Sequence, residues 1–134
     1  MGEGTQLRCP ITEDLALLRT QLHDFASASS LASDRVADLM IAVNEAATNV
    51  LEHGAGSGTL IACHDESGVW VDVIDSRGAL TADDLFTSAP SATAMRGYGL
   101  SIVRRLCDQV SVDHPNGHSR LRLRMSYQSD KPEE

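Results

Sequence analysis

The sequence predicts a two-layer α/β sandwich, in which three helices cover one face of a mixed, mostly antiparallel sheet. Three observations support this prediction. Three segments carry apolar residues at three- and four-residue spacing, which is typical of amphipathic helices. Short alternating segments beside turn residues predict strands that pair as hairpins. The segment order β-α-α-β-β-loop-α-β-β then places the three helices against a single sheet.

The first half of the chain is predicted to form one strand and two helices. A strand at residues 6–9 ends at Pro10, and a helix at residues 12–28 begins with Thr12 as its cap. The second helix begins at Ser33 or Asp34. Its apolar stripe is Val36, Leu39, Met40, Val43, Ala47, Val50 and Leu51, and it is expected to end near His53 and Gly54.

The second half is predicted to alternate strands, one long loop and a third helix. Residues 80–95 are rich in Ala, Ser and Thr and have no clear period, so we expect a mobile loop with one helical turn at 82–86. The last strand has apolar residues on one face and arginines on the other. The predicted elements are strands at 59–64 and 69–75, a helix at 100–110, and strands at 111–113 and 121–125.

Composition and charge restrict the classes of function. The chain has 134 residues, 42% of them hydrophobic, which fits one domain with its core at residues 6–126 and loose ends. The formal net charge is −8, with 11 basic and 19 acidic residues, so nucleic acid is disfavoured as a ligand. The three distant cysteines and the absence of a signal peptide or a long apolar run predict a cytoplasmic protein that does not contact membranes.

The second predicted helix carries a polar pair. Glu45 and Asn49 are four residues apart and therefore share one helix face, with His53 one turn further along. An amide oxygen is a hard ligand suited to Mg²⁺, and a carboxylate can accept a proton from a hydroxyl group. By spacing alone, an ordinary solvated helix face is the favoured explanation of the pair.

Two further motifs are weak when taken alone. Asp75 ends a strand and is followed by Gly78; a buried carboxylate there would accept a hydrogen bond from the amino group of adenine, although a simple turn has the same pattern. Gly97 and Gly99 precede a helix, where glycines allow close approach of a phosphate to free N–H groups. This segment is not a Walker loop, because no Gly-Lys-Ser/Thr follows.

The order and spacing of the three motifs resemble the GHKL ATPase superfamily, from about residue 7 to residue 125. EAATNVLEH resembles its N box, DSRG its first glycine box and GYGL its second. The phrase AVNEAATNVLEHG is most similar to the bacterial anti-sigma-factor serine/threonine kinases. The resemblance implies a Bergerat-type ATP-binding fold, with ATP and Mg²⁺ as the cofactors.

The resemblance also implies a role for each matching residue. Glu45 corresponds to the general base, Asn49 to the magnesium ligand and Asp75 to the carboxylate that contacts adenine. Residues 80–95 correspond to the ATP lid, and Arg96 lies where a cation could offset phosphate charge. The expected ATP-binding residues are Asn49, Asp75, Arg77, Gly78, Arg96, Gly97, Tyr98, Gly99 and Leu100.

One motif departs from the superfamily pattern. Arg77 and Ala79 stand where the first glycine box has glycine. A turn with positive φ at position 77 would be strained by arginine. Arg77 could otherwise reach a phosphate or crowd the nucleotide.

The sequence therefore predicts an anti-sigma factor with serine/threonine kinase activity. It would phosphorylate a STAS-type antagonist, bind a sigma factor and form a homodimer, as the resemblance implies. The alternative, motivated by Arg77, is a non-catalytic binding module that sequesters a sigma factor or another regulator. A phosphotransfer partner of a histidine kinase is disfavoured, because no histidine-bearing dimerisation helix precedes the domain in this sequence.

Overall fold

The computed structural model describes residues 5–53, 56–77 and 96–128. These residues form a five-stranded sheet in the order β1-β2-β3-β5-β4, with three α-helices, which confirms the predicted two-layer α/β fold. The elements are β1 (Thr5–Ile11), α1 (Leu15–Ser27), α2 (Ser33–His53), β2 (Gly58–His64), β3 (Gly68–Asp75), α3 (Arg96–Leu106), β4 (Gln109–Asp113) and β5 (Ser119–Ser126).

All four strand pairings among the described residues are antiparallel. The prediction of a mostly antiparallel sheet is confirmed, but the described sheet contains no parallel pair and is therefore not mixed. β2 pairs with β1 and β3, and β5 pairs with β3 and β4. The β2–β3 hairpin closes through Asp65, whose carboxylate accepts hydrogen bonds from the backbone N–H groups of Ser67 and Gly68. The β4–β5 connection holds Asn116 and Gly117 at positive φ, a conformation that asparagine and glycine tolerate best.

One face of the sheet packs against the helices and forms the core. Val69, Val71 and Val73 of β3 are buried, and alternate residues of the other strands lie beside them. α2 is the central helix, because it contacts α1, α3 and the sheet. The remaining core includes Ile11, Leu22, Leu39, Val43, Leu60, Leu100, Val103, Leu121, Leu123 and Met125.

The opposite face of the sheet, called the open face below, carries the alternate side chains. Its centre consists of Trp70, Asp72 and Ile74 on β3 and of Arg120, Arg122 and Arg124 on β5, which stand directly opposite one another. None of the three described helices packs on this face, because each has its buried residues in the single core on the other side.

The boundary between α3 and β4 differs from the prediction. α3 begins at Arg96 and ends at Leu106, whereas a helix over residues 100–110 was expected. Val110 belongs to β4, where it pairs with Leu123 of β5. The cause is that Val110 fits both the helical spacing from Leu106 and the strand alternation with Val112, and pairing with a distant strand decides between them.

Two details at the start of the chain also differ. β1 continues through Pro10 to Ile11, which is possible because β1 is an edge strand and a proline there need not donate to a neighbour. The cap of α1 is Asp14 rather than Thr12: the Asp14 side chain accepts from the backbone N–H of Leu17 at 3.2 Å. Within the described residues, no helix is both long and apolar enough to span a membrane.

Candidate functional site

α2 presents Glu45 and Asn49 on one side of the helix, as the spacing predicts. Both residues are half-buried, whereas Ala46, Ala47 and Val50 are buried in the core. The apolar residues fix the rotation of α2 about its axis. The polar pair consequently lies at the margin of the core, where it remains accessible to a ligand.

Asn49 is held in one orientation by its own helix. Its side-chain nitrogen donates to the backbone carbonyl oxygen of Glu45 at 3.1 Å. This bond uses the nitrogen of the amide and leaves the amide oxygen as the atom directed elsewhere. An amide oxygen is the type of ligand that Mg²⁺ accepts beside waters and phosphate oxygens.

A contact that the sequence did not reveal joins α1 to this region. The Arg19 guanidinium donates to the side-chain oxygen of Asn44 at 3.1 Å, directly beside Glu45. Arg19 therefore ties the polar side of α1 to the residue that precedes Glu45 in α2. No sequence signal identifies it, because Arg19 is an exposed arginine on the polar side of α1 and lies 25 residues from Asn44.

Asp75 ends β3 as predicted, and it is only 7% exposed. One carboxylate oxygen accepts a hydrogen bond from the backbone N–H of Arg77 at 3.0 Å. On the neighbouring strands, Asp75 stands opposite Gly58 of β2 and the buried Ser119 of β5. The carboxylate is therefore fixed at the end of the sheet.

Gly58 allows α2 and the end of β3 to lie close together. A Cβ atom at this position would lie 2.3 Å from the backbone oxygen of Ile74 and 3.3 Å from Cγ1 of Val50. Val50 follows Asn49 in sequence, and Ile74 precedes Asp75. The structure thus brings the N box and the first glycine box to the same end of the molecule, around Gly58.

The second glycine box forms the first turn of α3 rather than a loop before it. The helix begins at Arg96, so Gly97, Tyr98 and Gly99 belong to it. The first four N–H groups of a helix have no partner inside the helix, and phosphate binding by this turn stays a prediction. Leu100 is fully buried and anchors the turn in the core.

The departure at Arg77 does not strain the backbone. Among the described residues, Asn116 is the only non-glycine residue with positive φ, so Arg77 lies outside the left-handed region. Its side chain is exposed. Gly78 and the expected lid at residues 80–95 lie outside the described residues.

A magnesium site built from protein carboxylates alone is not found. In residues 5–53, 56–77 and 96–128, no three His, Cys, Asp or Glu side chains come together as a metal site. The Asn49 amide oxygen is a single ligand, so a Mg²⁺ ion held there would take its other ligands from phosphate oxygens and water.

Comparison with protein families decides the identity of the domain. A family model described as "Histidine kinase-like ATPase domain" matches residues 11–127. The chain belongs to the histidine kinase-like ATPase domain family. This result confirms the resemblance found in the sequence, and ATP is the ligand that membership of this family implies.

A solved structure supports the fold of this histidine kinase-like ATPase domain. The crystal structure of the RsbU and RsbW domains of Rv1364c from Mycobacterium tuberculosis is similar, with a TM-score of 0.65 and 21% sequence identity. The match covers 90% of this chain and 32% of that chain, so this domain corresponds to about a third of the other protein. A search of curated proteins gave no match.

Proposed function

We propose that this histidine kinase-like ATPase domain is an anti-sigma factor with serine/threonine kinase activity, acting on a STAS-type antagonist. The observation that carries the proposal is the arrangement of α2, which presents Glu45 and Asn49 one turn apart at the end of the molecule where Asp75 is buried. The similarity to a structure that contains an RsbW domain supports it. In this proposal the protein acts in the cytoplasm as a homodimer that also binds a sigma factor.

Glu45 is the proposed general base. It would accept the proton of the substrate serine while the serine oxygen forms a bond to the γ-phosphorus of ATP and the bond to the bridging oxygen breaks. The products are phosphoserine and ADP. Glu45 is half-buried, so it can reach a docked hydroxyl group and still exchange its proton with solvent afterwards.

Asn49 is the proposed magnesium ligand, since its hydrogen bond to the Glu45 carbonyl leaves the amide oxygen available. Bound Mg²⁺ would neutralise phosphate charge. Arg96 and the N–H groups of Gly97, Tyr98 and Gly99 would hold the phosphates at the start of α3. These residues position the phosphate chain, which is the main requirement for phosphoryl transfer.

Asp75 is the proposed reader of the base. A carboxylate only accepts hydrogen bonds, so it favours the amino group of adenine over the carbonyl oxygen of guanine. The bond from the Arg77 N–H holds one carboxylate oxygen in place. Arg77 and Gly78 would flank the nucleotide, with the exposed Arg77 side chain reaching a phosphate.

A second candidate function is a binding module without catalysis, which would sequester a sigma factor or another regulator. The exposed arginine at position 77, where the superfamily pattern has glycine, favours it. The two candidates differ in one measurable property, which is transfer of phosphate to a protein.

The deciding experiment combines nucleotide binding with phosphoryl transfer. Calorimetry with ATP, ADP and GTP, with and without Mg²⁺, measures affinity and base selectivity. Incubation with radiolabelled ATP and purified STAS-domain proteins then measures transfer. We expect adenine-selective binding that Mg²⁺ strengthens, and a labelled STAS protein.

Glu45→Gln separates catalysis from binding. This variant keeps the size of the side chain but removes the base, so transfer should fall about 10²–10⁴-fold while the Kd for ATP changes little. Glu13→Gln, which changes an exposed glutamate just before α1, is the matched control and should keep transfer. ATP binding without transfer to any STAS protein would favour the binding module, and no binding at millimolar ATP would reject the kinase.

A further inference from the structure

The open face has a charge opposite to that of the whole chain. Arg8 of β1 and Arg120, Arg122 and Arg124 of β5 are on this face, and Asp72 and Asp113 are the acidic residues among them. Four arginines against two aspartates give an excess of two positive charges. Since the chain carries −8, the remainder of the molecule carries −10.

The arginines of the open face are held in order by their neighbours. Arg122 donates through Nε and Nη2 to the two oxygens of Asp72, at 2.7 and 2.9 Å. Arg120 bonds Asp113 in the same two-pronged manner. Because these arginine side chains are already ordered, they lose less conformational entropy on binding a ligand than unpaired arginines would lose.

A groove at one end of this face combines positive charge with an aromatic surface. It has a volume of about 500 Å³ and is lined by Trp70, Gln109, Val110, Ser111, Arg122 and Arg124. The Arg124 guanidinium lies 5.9 Å from the centre of the Trp70 ring and donates to the hydroxyl groups of Ser126 and Ser67. Nothing in the proposed kinase reaction uses these residues.

We infer that the open face binds an acidic segment of a partner protein, with a carboxylate on Arg124 and an apolar side chain on Trp70. Arginine and tryptophan are the residues that most often carry the energy of protein interfaces. The inference is independent of the proposed kinase activity, because the face lies on the opposite side of the sheet from α2.

The charge distribution favours this occupant over two others. A second copy of the chain would bring two positively charged faces together, which opposes association. A long nucleic acid would extend beyond the face, which measures roughly 19 Å across five strands, and would then meet the negative remainder of the molecule. A short acidic segment fits within the positive area and avoids both penalties.

Two natural probes report on this face in the full-length protein. Trp70 is the only tryptophan of the chain, so its fluorescence comes from the groove alone. Cys63 stands directly opposite Trp70 on β2 and is partly exposed, whereas Cys9 and Cys107 are buried. A ligand on this face should change the Trp70 emission and slow the reaction of Cys63 with a thiol reagent.

The probe ligand is an acidic nine-residue peptide in which glutamate and serine alternate around a central leucine. The matched peptide has glutamine in place of each glutamate. We expect the acidic peptide to shift Trp70 emission, to protect Cys63 and to bind more weakly as salt increases. Arg124→Glu should raise the Kd about tenfold or more, and Arg104→Glu, which makes the same charge change at the exposed end of α3, should have little effect.

Several results would overturn the inference. These are no binding of the acidic peptide at millimolar concentration, equal binding of the glutamine peptide, or unchanged affinity in Arg124→Glu. Tighter binding of an oligonucleotide would assign the face to nucleic acid instead. Protection of Cys63 that rises with protein concentration in the absence of peptide would assign it to a second copy. Peptide anisotropy and circular dichroism show whether each variant is folded and binds.

Discussion

Arg35, in the first turn of α2, donates to the fully buried carboxylate of Asp108, which lies between α3 and β4. The same carboxylate oxygen accepts the backbone N–H of Ser126 at the end of β5, at 2.7 Å. Arg35 also donates to the carbonyl oxygen of Ser126. The Asp108 carboxylate therefore joins the start of α2 and the end of β5 to the segment just before β4.

This junction predicts a large loss of stability in Asp108→Ala. Removing the carboxylate leaves Arg35 and the Ser126 N–H buried without their partner, so the free energy of unfolding should fall by about 3–5 kcal/mol. Urea denaturation followed by circular dichroism measures the change. Asp113→Ala is the control, because its ion pair with Arg120 is exposed to solvent and should contribute little to stability. Equal losses in the two variants would contradict the role of the buried carboxylate.

Gly58 predicts a second effect on stability. Gly58→Ala would drive a Cβ atom into the backbone oxygen of Ile74, and backbone atoms cannot move aside as a flexible side chain does. We expect a loss of about 2 kcal/mol or more in the free energy of unfolding. Gly117→Asn is a suitable comparison, since Asn tolerates positive φ and the space around Gly117 is open. A Gly58→Ala protein as stable as wild type would show that α2 and β3 can separate without cost.

Asp75→Asn tests the proposed reading of the base. Asparagine can still accept the N–H of Arg77 through its oxygen, but its other group is a donor. The donor opposes the amino group of adenine and suits the carbonyl oxygen of guanine. We expect the Kd for ATP to rise about tenfold or more and the preference for ATP over GTP to shrink, as measured by calorimetry. Unchanged selectivity would mean that another group reads the base.

The pKa of Asp113 predicts part of the acid sensitivity. The hydrogen bond from Arg120 lowers this pKa in the folded protein, so the pair stabilises the fold above the unfolded pKa of about 4. That stabilisation is lost as the pH falls through the lowered pKa. Thermal unfolding between pH 5 and pH 2 should therefore show a smaller decrease of Tm in Asp113→Asn than in wild type. Arg120→Gln should behave like Asp113→Asn, and the double variant should add nothing further.

The three cysteines should differ sharply in reactivity. Cys63 is partly exposed on the open face, while burial raises the pKa of the Cys9 thiol and shields it from solvent. Ellman's reagent at neutral pH should give one fast thiol and two that react only after denaturation. Cys63→Ser should remove the fast phase. A fast phase that survives this substitution would show that the core opens readily.

The sequence was sufficient to predict the element order and the polar face of α2, because both follow from local periodicity. It was not sufficient at Val110, where helix and strand patterns coincide and the pairing with Leu123 of a distant strand decides. The spacing of Glu45 and Asn49 indicated a site. The contact of Arg19 with Asn44 could not be predicted, because two helices must first pack before these residues meet.

The bond between the Arg77 main chain and the Asp75 carboxylate has a consequence for how this motif can evolve. The donor is a backbone N–H, and φ at Arg77 is outside the left-handed region, so any residue except proline can supply the bond. A change of side chain at position 77 therefore leaves this hydrogen bond in place. A signature for this turn that requires aspartate and excludes only proline two positions later would recover relatives that a glycine-based signature overlooks.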